Sequence, residues 1–162
     1  MQKVILIRPL HFIDILRDFG AGVTDFEPDP SGNGLHIVAE KLLNNRDILL
    51  AITLDPDDVC KPCKHNINGI CDEDLDRTHR PSAPCLMRDW DLLINQRWCE
   101  RLEIRQGDRF TARELCERLR DRAGDIKNIY REIVDSSSVP DWLSPSKRTF
   151  NLKKGIKRFL GE

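Results

Sequence analysis

Ile48-Leu49-Leu50-Ala51-Ile52-Thr53-Leu54-Asp55-Pro56-Asp57-Asp58-Val59-Cys60-Lys61-Pro62-Cys63 is the stretch on which the fold turns. Its first half is a continuous apolar run and reads as the best strand in the chain. Asp55-Pro56-Asp57-Asp58 is polar and helix-breaking, so the strand must give way to a loop. Two thiols three positions apart then reach one metal ion or one cluster from a single tight turn, and Pro62 prevents that turn from continuing as a helix. Asn68-Gly69 is a strong turn signal just before Cys71, and Cys85 follows. Four of the chain's six cysteines thus lie within residues 60–85, in a segment that reads as a loop wrapped around a bound centre.

Working outward, Lys3 to Ile7 reads as a second short buried strand, ended by Pro9. From Leu10 the apolar spacing becomes helical, with Leu10, Ile13, Leu16 and Phe19 on one face, and Gly20-Ala21-Gly22 stops the helix. Residues 23–34 are loop by composition, and a second helix is expected over 35–45 on Leu35, Val38 and Leu42. Strand, crossover helices, strand favours a parallel pair. Beyond the cysteines the chain reads as almost wholly helical. Leu86, Trp90, Leu93, Ile94 and Trp98 mark a long helix over 85–102. Thr111-Ala112-Arg113-Glu114 matches a capping box opening a helix to about Ala123. Asp125 is placed to cap a further helix carrying Ile126, Ile129, Tyr130 and Ile133. The expected fold class is α/β or α+β: a two- or few-stranded sheet, with a mostly helical C-terminal half around a cysteine-rich metal loop.

At 162 residues the chain is long enough for one real core. No apolar run reaches the roughly 18 residues of a membrane span. Val4-Ile5-Leu6-Ile7 is too short for an export signal, so the expectation is a cytoplasmic protein whose spaced cysteines are ligands rather than disulfides. Residues 136–162 carry six Lys and Arg against Asp141 and Glu162, a net +4, so the remainder of this chain of net charge −1 carries −5. This divides the chain into a cysteine-loop domain (1–135) and a basic amphipathic extension (136–162). Phosphate neutralisation by that extension would make it a nucleic-acid binder. With Phe150, Leu152, Ile156, Phe159 and Leu160 among the cations, docking on its own acidic body or on a partner protein is the better reading. There is no phosphate-cradling glycine loop, dinucleotide fingerprint or nucleophile elbow.

Thiolates select zinc or an iron–sulfur cluster. Structural zinc sites are usually two short paired knuckles. One pair followed by two isolated cysteines suits a cluster, whose irons need ligands from separate directions. The expected cofactor is one 4Fe-4S cluster on Cys60, Cys63, Cys71 and Cys85, with Zn2+ the alternative. Cys85, after Pro84, reads equally as a ligand or a small packed side chain. Cys99 and Cys116 fall beside apolar helical stripes and read as packing. His65 and His79 lie near the loop and read as surface residues.

Arg8-Pro9-Leu10-His11-Phe12-Ile13-Asp14, then Asp57-Asp58-Val59-Cys60-Lys61-Pro62-Cys63-Lys64-His65 and Gly69-Ile70-Cys71, resembles a small family of prokaryotic proteins labelled as predicted iron–sulfur binding (domain-of-unknown-function family 1284). The resemblance covers about residues 3–135. In that family the amino-terminal motif ends in a cysteine that would be a fourth ligand, where this chain has Asp14. The resemblance therefore implies three thiols, Cys60, Cys63 and Cys71, and a fourth position filled by Cys85, by Asp14 or by water or substrate on an open iron. Four thiolates suit electron transfer with a redox partner, sensing or structure. An open iron suits non-redox chemistry on a small molecule, with His11, three residues before Asp14, as acid or base.

Overall fold

A computed structural model describes residues 3–162. The architecture is α+β. Strand β1 (Ile5–Ile7) passes through Arg8 into helix α1 (Pro9–Gly20), and α2 (Leu35–Asn44) follows after a long loop. Strand β2 (Leu49–Ile52) pairs parallel to β1, with Ile5 opposite Leu50 and Ile7 opposite Ile52. The parallel pair expected from the sequence is therefore present. A small hairpin, β3 (Asn66–Ile67) and β4 (Ile70–Cys71), interrupts the cysteine loop. Its two-residue turn, Asn68-Gly69, has positive φ at both positions (52° and 84°), the geometry that this dipeptide favours. Helix α3 (Met87–Leu102), strand β5 (Arg109–Thr111), helix α4 (Ala112–Arg122) and helix α5 (Pro145–Leu160) complete the chain.

Two expectations need correction. The C-terminal half is not wholly helical: β5 adds antiparallel to β2, giving the sheet order β1-β2-β5. Only three residues long, Arg-Phe-Thr carries too little pattern to be seen. Thr111 ends this strand and caps α4 at once, with the full capping box formed as expected. Nor does Asp125 open a helix. It caps a single 3₁₀ turn (Ile126–Asn128), after which the backbone turns away and Val134 N–H donates to the His79 carbonyl (2.8 Å). Ile126, Ile129, Tyr130 and Ile133 are nevertheless all buried, so their spacing reported burial without helix. Arg97 of α3 holds this segment by a bidentate pair with Glu132 (2.6 Å each) and a bond to the Ile129 carbonyl (2.8 Å).

The basic helix α5 packs against α1. Phe159 meets Phe12 edge-on at 6.4 Å, and Arg158 lies over the Phe19 ring at 4.2 Å and donates to the Phe19 carbonyl. The two helices touch backbone to backbone. A Cβ on Gly155 would fall 1.8 Å from the Leu16 carbonyl oxygen, and one on Gly20 would fall 1.8 Å from that of Asn151. Glycine inside a helix costs about 1 kcal/mol relative to alanine, so Gly155→Ala would stabilise an undocked α5. Here the clash wins, because backbone cannot step aside. Gly155→Ala is expected to lower stability by about 3 kcal/mol or more in urea unfolding; a gain in stability would show that the helices do not cross as described.

Candidate metal centre

The C-terminal end of β1 and the loop after β2 meet at one buried carboxylate, Asp57. Its Oδ2 accepts from Arg8 N–H (2.7 Å) and from His11 Nδ1 (2.7 Å). Its Oδ1 accepts from Val59 N–H (3.0 Å) and Cys60 N–H (3.1 Å). The run that reads from sequence as helix-breaking is thus an anchor, folding the cysteine loop back onto the first turn of α1. Burial pushes the Asp57 carboxyl up, but the His11 charge and these donors outweigh it and hold the group below its ordinary value. His11 is the converse: burial opposes its charge, and Asp57, aided by Asp91 and Asp14, raises it above the usual histidine value.

His11, Asp57 and Cys60 bring three potential ligand atoms within 4.8 Å of one another. They do not make an independent cation site. A carboxylate offers about four lone pairs, and Asp57 already accepts four hydrogen bonds. With Nδ1 committed to Asp57, His11 has only Nε2 left to present.

Beside this anchor lies an open cleft of about 600 Å³. Cys60, Cys63 and Cys71 line it, with Arg8, His11, Asp14, Asp91 and Trp142 among the other walls. All six cysteines are free thiols. The cysteine turn is braced from three sides. Cys63 N–H donates to the Cys60 carbonyl (3.0 Å), Lys64 N–H to Ser31 (2.8 Å) and Gly34 N–H to Val59 (2.8 Å). The β3–β4 hairpin pairs Cys71 with Asn66 and so returns it to the cleft that Cys63 also lines. Burial and Asp57 push the Cys60 thiol up to about 12, so it is a protonated thiol unless a cation binds to it. The three loop sulfurs do not all fall within 4.8 Å of one another.

The remaining sequence-selected residues separate clearly. Cys85 is exposed and outside the cleft wall, its carbonyl accepting from Leu75 N–H (2.9 Å). Asp14 does line the cleft, but Oδ1 is held by Arg148 (2.9 Å) and Arg17 (3.1 Å). His65 pairs with Asp72 (2.9 Å) on the surface side of the hairpin. Cys116 is fully buried, Cys99 half-buried. Sequence reading missed Asp57, Arg8, Asp91, Arg80 and Arg148. Arg8 donates twice to the Leu54 carbonyl (2.9 and 3.3 Å), reaches Asp91 at 3.6 Å and points at the Cys60 sulfur at 3.9 Å. Compared with protein-family models, curated proteins and solved structures, the chain matches none.

Two measurements test this electrostatic frame. Asp57→Ala would leave the Arg8, Val59 and Cys60 N–H groups and His11 without their acceptor; a loss of about 3 kcal/mol or more is expected in urea unfolding. Asp91 behaves oppositely. Burial pushes its carboxyl up to about 6, despite His11 and Arg8. From about pH 4 to 6 the folded chain therefore keeps a proton that the unfolded chain releases. This group's contribution falls as pH rises, and its cost is complete above that window. Two pH units correspond to about 3 kcal/mol. Asp91→Asn should compare more favourably with the parent at pH 7 than at pH 4 by up to that amount; an identical difference at both values would refute it.

Proposed function

We propose that the cleft holds an iron–sulfur centre on Cys60, Cys63 and Cys71, with its fourth position directed into the cleft, and that the protein acts on a small molecule bound there. The observation that carries this is that three soft ligands from one braced loop share a cleft that Cys85 does not line. The donor set fits a polynuclear centre better than a single zinc ion. One Cys-x-x-Cys pair followed by the single Cys71, rather than two paired knuckles, is the spacing that favours a cluster over structural zinc. The open size of the cleft leaves room for a ligand as well as a centre.

Such a group, when bound by three thiolates, supplies one exchangeable Lewis-acidic iron. The chain's own residues supply the rest. Asp57 fixes the His11 ring through Nδ1 and leaves Nε2 to give or take a proton in the cleft. Arg8, held by Leu54 and Asp91, keeps a positive charge against Cys60, where it favours thiolate over thiol. Asp14, held by Arg17 and Arg148, serves as a fixed wall rather than a ligand.

Anaerobic purification and reconstitution tests the reading. Brown protein with about four iron and four sulfide per chain is expected, lost in Cys63→Ser and kept in Cys85→Ser. A colourless protein with about one zinc would replace the centre by the zinc alternative. Loss of iron in Cys85→Ser would replace the open position by a fourth thiolate.

A further inference from the structure

One corner of the cleft is built around charge that the protein itself does not neutralise. Arg80 lines the cleft and is only 6% exposed. Its guanidinium donates through Nε to the Asp76 carbonyl (2.8 Å) and lies over the Trp90 ring at 5.2 Å. Among the described residues no carboxylate forms an ion pair with it. A buried cation without a counter-charge is costly, and chains rarely keep one without a use for it.

A second arginine faces the same space. Arg148 is 4% exposed and also lines the cleft. It shares Asp14 with Arg17, donates to the Trp142 carbonyl (3.1 Å) and lies over the Tyr130 ring at 4.1 Å. Its Nε is buried and has no hydrogen-bond partner. Two buried guanidiniums thus line one cleft, one without an ion-paired carboxylate and the other with an orphaned donor. Burial lowers the Arg80 pKa from its ordinary value, against the pull of Asp76 and with a lesser push from Arg148. Six acids share the cleft and none forms an ion pair with Arg80: Asp14 is held by two arginines, Asp91 by Arg8 and Asp89 by Arg88, while Asp29, Asp55 and Glu73 line other parts of its wall.

We propose that the Arg80–Arg148 corner is the seat for the oxyanion of a small acidic molecule, a carboxylate or a phosphate. Such a group supplies the missing counter-charge and accepts from the planar donor forks that arginine presents. Trp142, 54% exposed and on the cleft wall, is an aromatic side chain against which the rest of the molecule could pack. Because the corner opens into the same cleft as Cys60, Cys63 and Cys71, it names the class of molecule that the centre would meet, and in that respect rests on the reading above. The seat itself is built from arginines and is tested without the centre.

The test is a thermal-shift and tryptophan-fluorescence titration of the full chain with inorganic phosphate, phenyl phosphate and benzoate, each against chloride at equal ionic strength. Expected is a saturable rise in melting temperature with at least one probe; phenyl phosphate or benzoate as the better probe identifies the phosphate or the carboxylate source. Arg80→Met should weaken that response by on the order of tenfold or more. Without ligand it should melt no lower than the parent, because it replaces an uncompensated buried charge by an apolar side chain. Responses that only follow chloride, an Arg80→Met chain that binds like the parent, or one that melts well below it without ligand would each overturn the proposal. Cys63→Ser separates the two readings: it is expected to lose iron and keep the anion response. Iron without an anion response would remove the seat alone, and an anion response in a chain that takes up no iron would remove the centre alone.

Discussion

A single carboxylate holds the two halves of the site together. Asp57 is fully buried and accepts hydrogen bonds from Arg8, His11, Val59 and Cys60. It is the buried centre of a seam between the segment from β1 to α1 and the loop after β2, which the Arg8 bonds to the Leu54 carbonyl and the paired Leu6–Asp58 bonds extend. Burying a charge is expensive unless every lone pair finds a donor, and here each one does. The same contacts fix which His11 nitrogen is spent on structure, set the turn that carries Cys60, and orient the start of α1. That helix start is completed by Asn95 of α3, whose Oδ1 accepts from Leu10 N–H (2.8 Å).

The second constraint is the charge distribution. An acidic body with a basic amphipathic extension suggests from sequence a helix that docks on that body or on a partner protein. In the fold α5 lies on α1, and its cations divide into two kinds. Lys153, Lys154, Lys157 and Arg158 are exposed, whereas Arg148 is buried in the cleft wall against Asp14 and Tyr130. The helix is a structural member as well as a charged surface. Tyr130 is central to this join: its ring supports Arg148 and its hydroxyl accepts from Trp98 Nε1 (3.0 Å), so α3, α5 and the 126–133 segment converge on one side chain.

Where short-range chemistry decides structure, the sequence is legible. Pro9 opens α1, Thr111 and Glu114 cap α4, and Asn68-Gly69 turns the hairpin, each a local consequence of side-chain geometry. The parallel pairing of residues 5–7 with 50–52 follows from two apolar runs and the helical connection between them. What stayed hidden depends on partners distant in the chain. Strand β5 exists because β2 offers it an edge. Residues 126–133 follow a helical apolar spacing, yet past one 3₁₀ turn the Ile129 carbonyl accepts from Arg97 and Val134 N–H donates to His79. Asp57 looks like one acid among Asp55, Asp57 and Asp58, and only burial distinguishes it. Arg80 and Arg148 are ordinary surface letters until the fold encloses them. Of the thiols, Cys60, Cys63 and Cys71 line the cleft and Cys85 does not, a difference that their spacing alone does not carry.

The join between α1 and α5 also bears on the order in which the molecule comes into being. The cysteine turn leaves the ribosome well before Arg148 does. Until that residue has emerged and α5 has closed on α1, the thiols face a half-built hollow with one wall missing and Asp14 lacking one of its two arginine partners. A nascent chain therefore displays its sulfur atoms before it has the enclosure that surrounds them in the finished fold, and presents a different surface during translation from the one it presents afterwards.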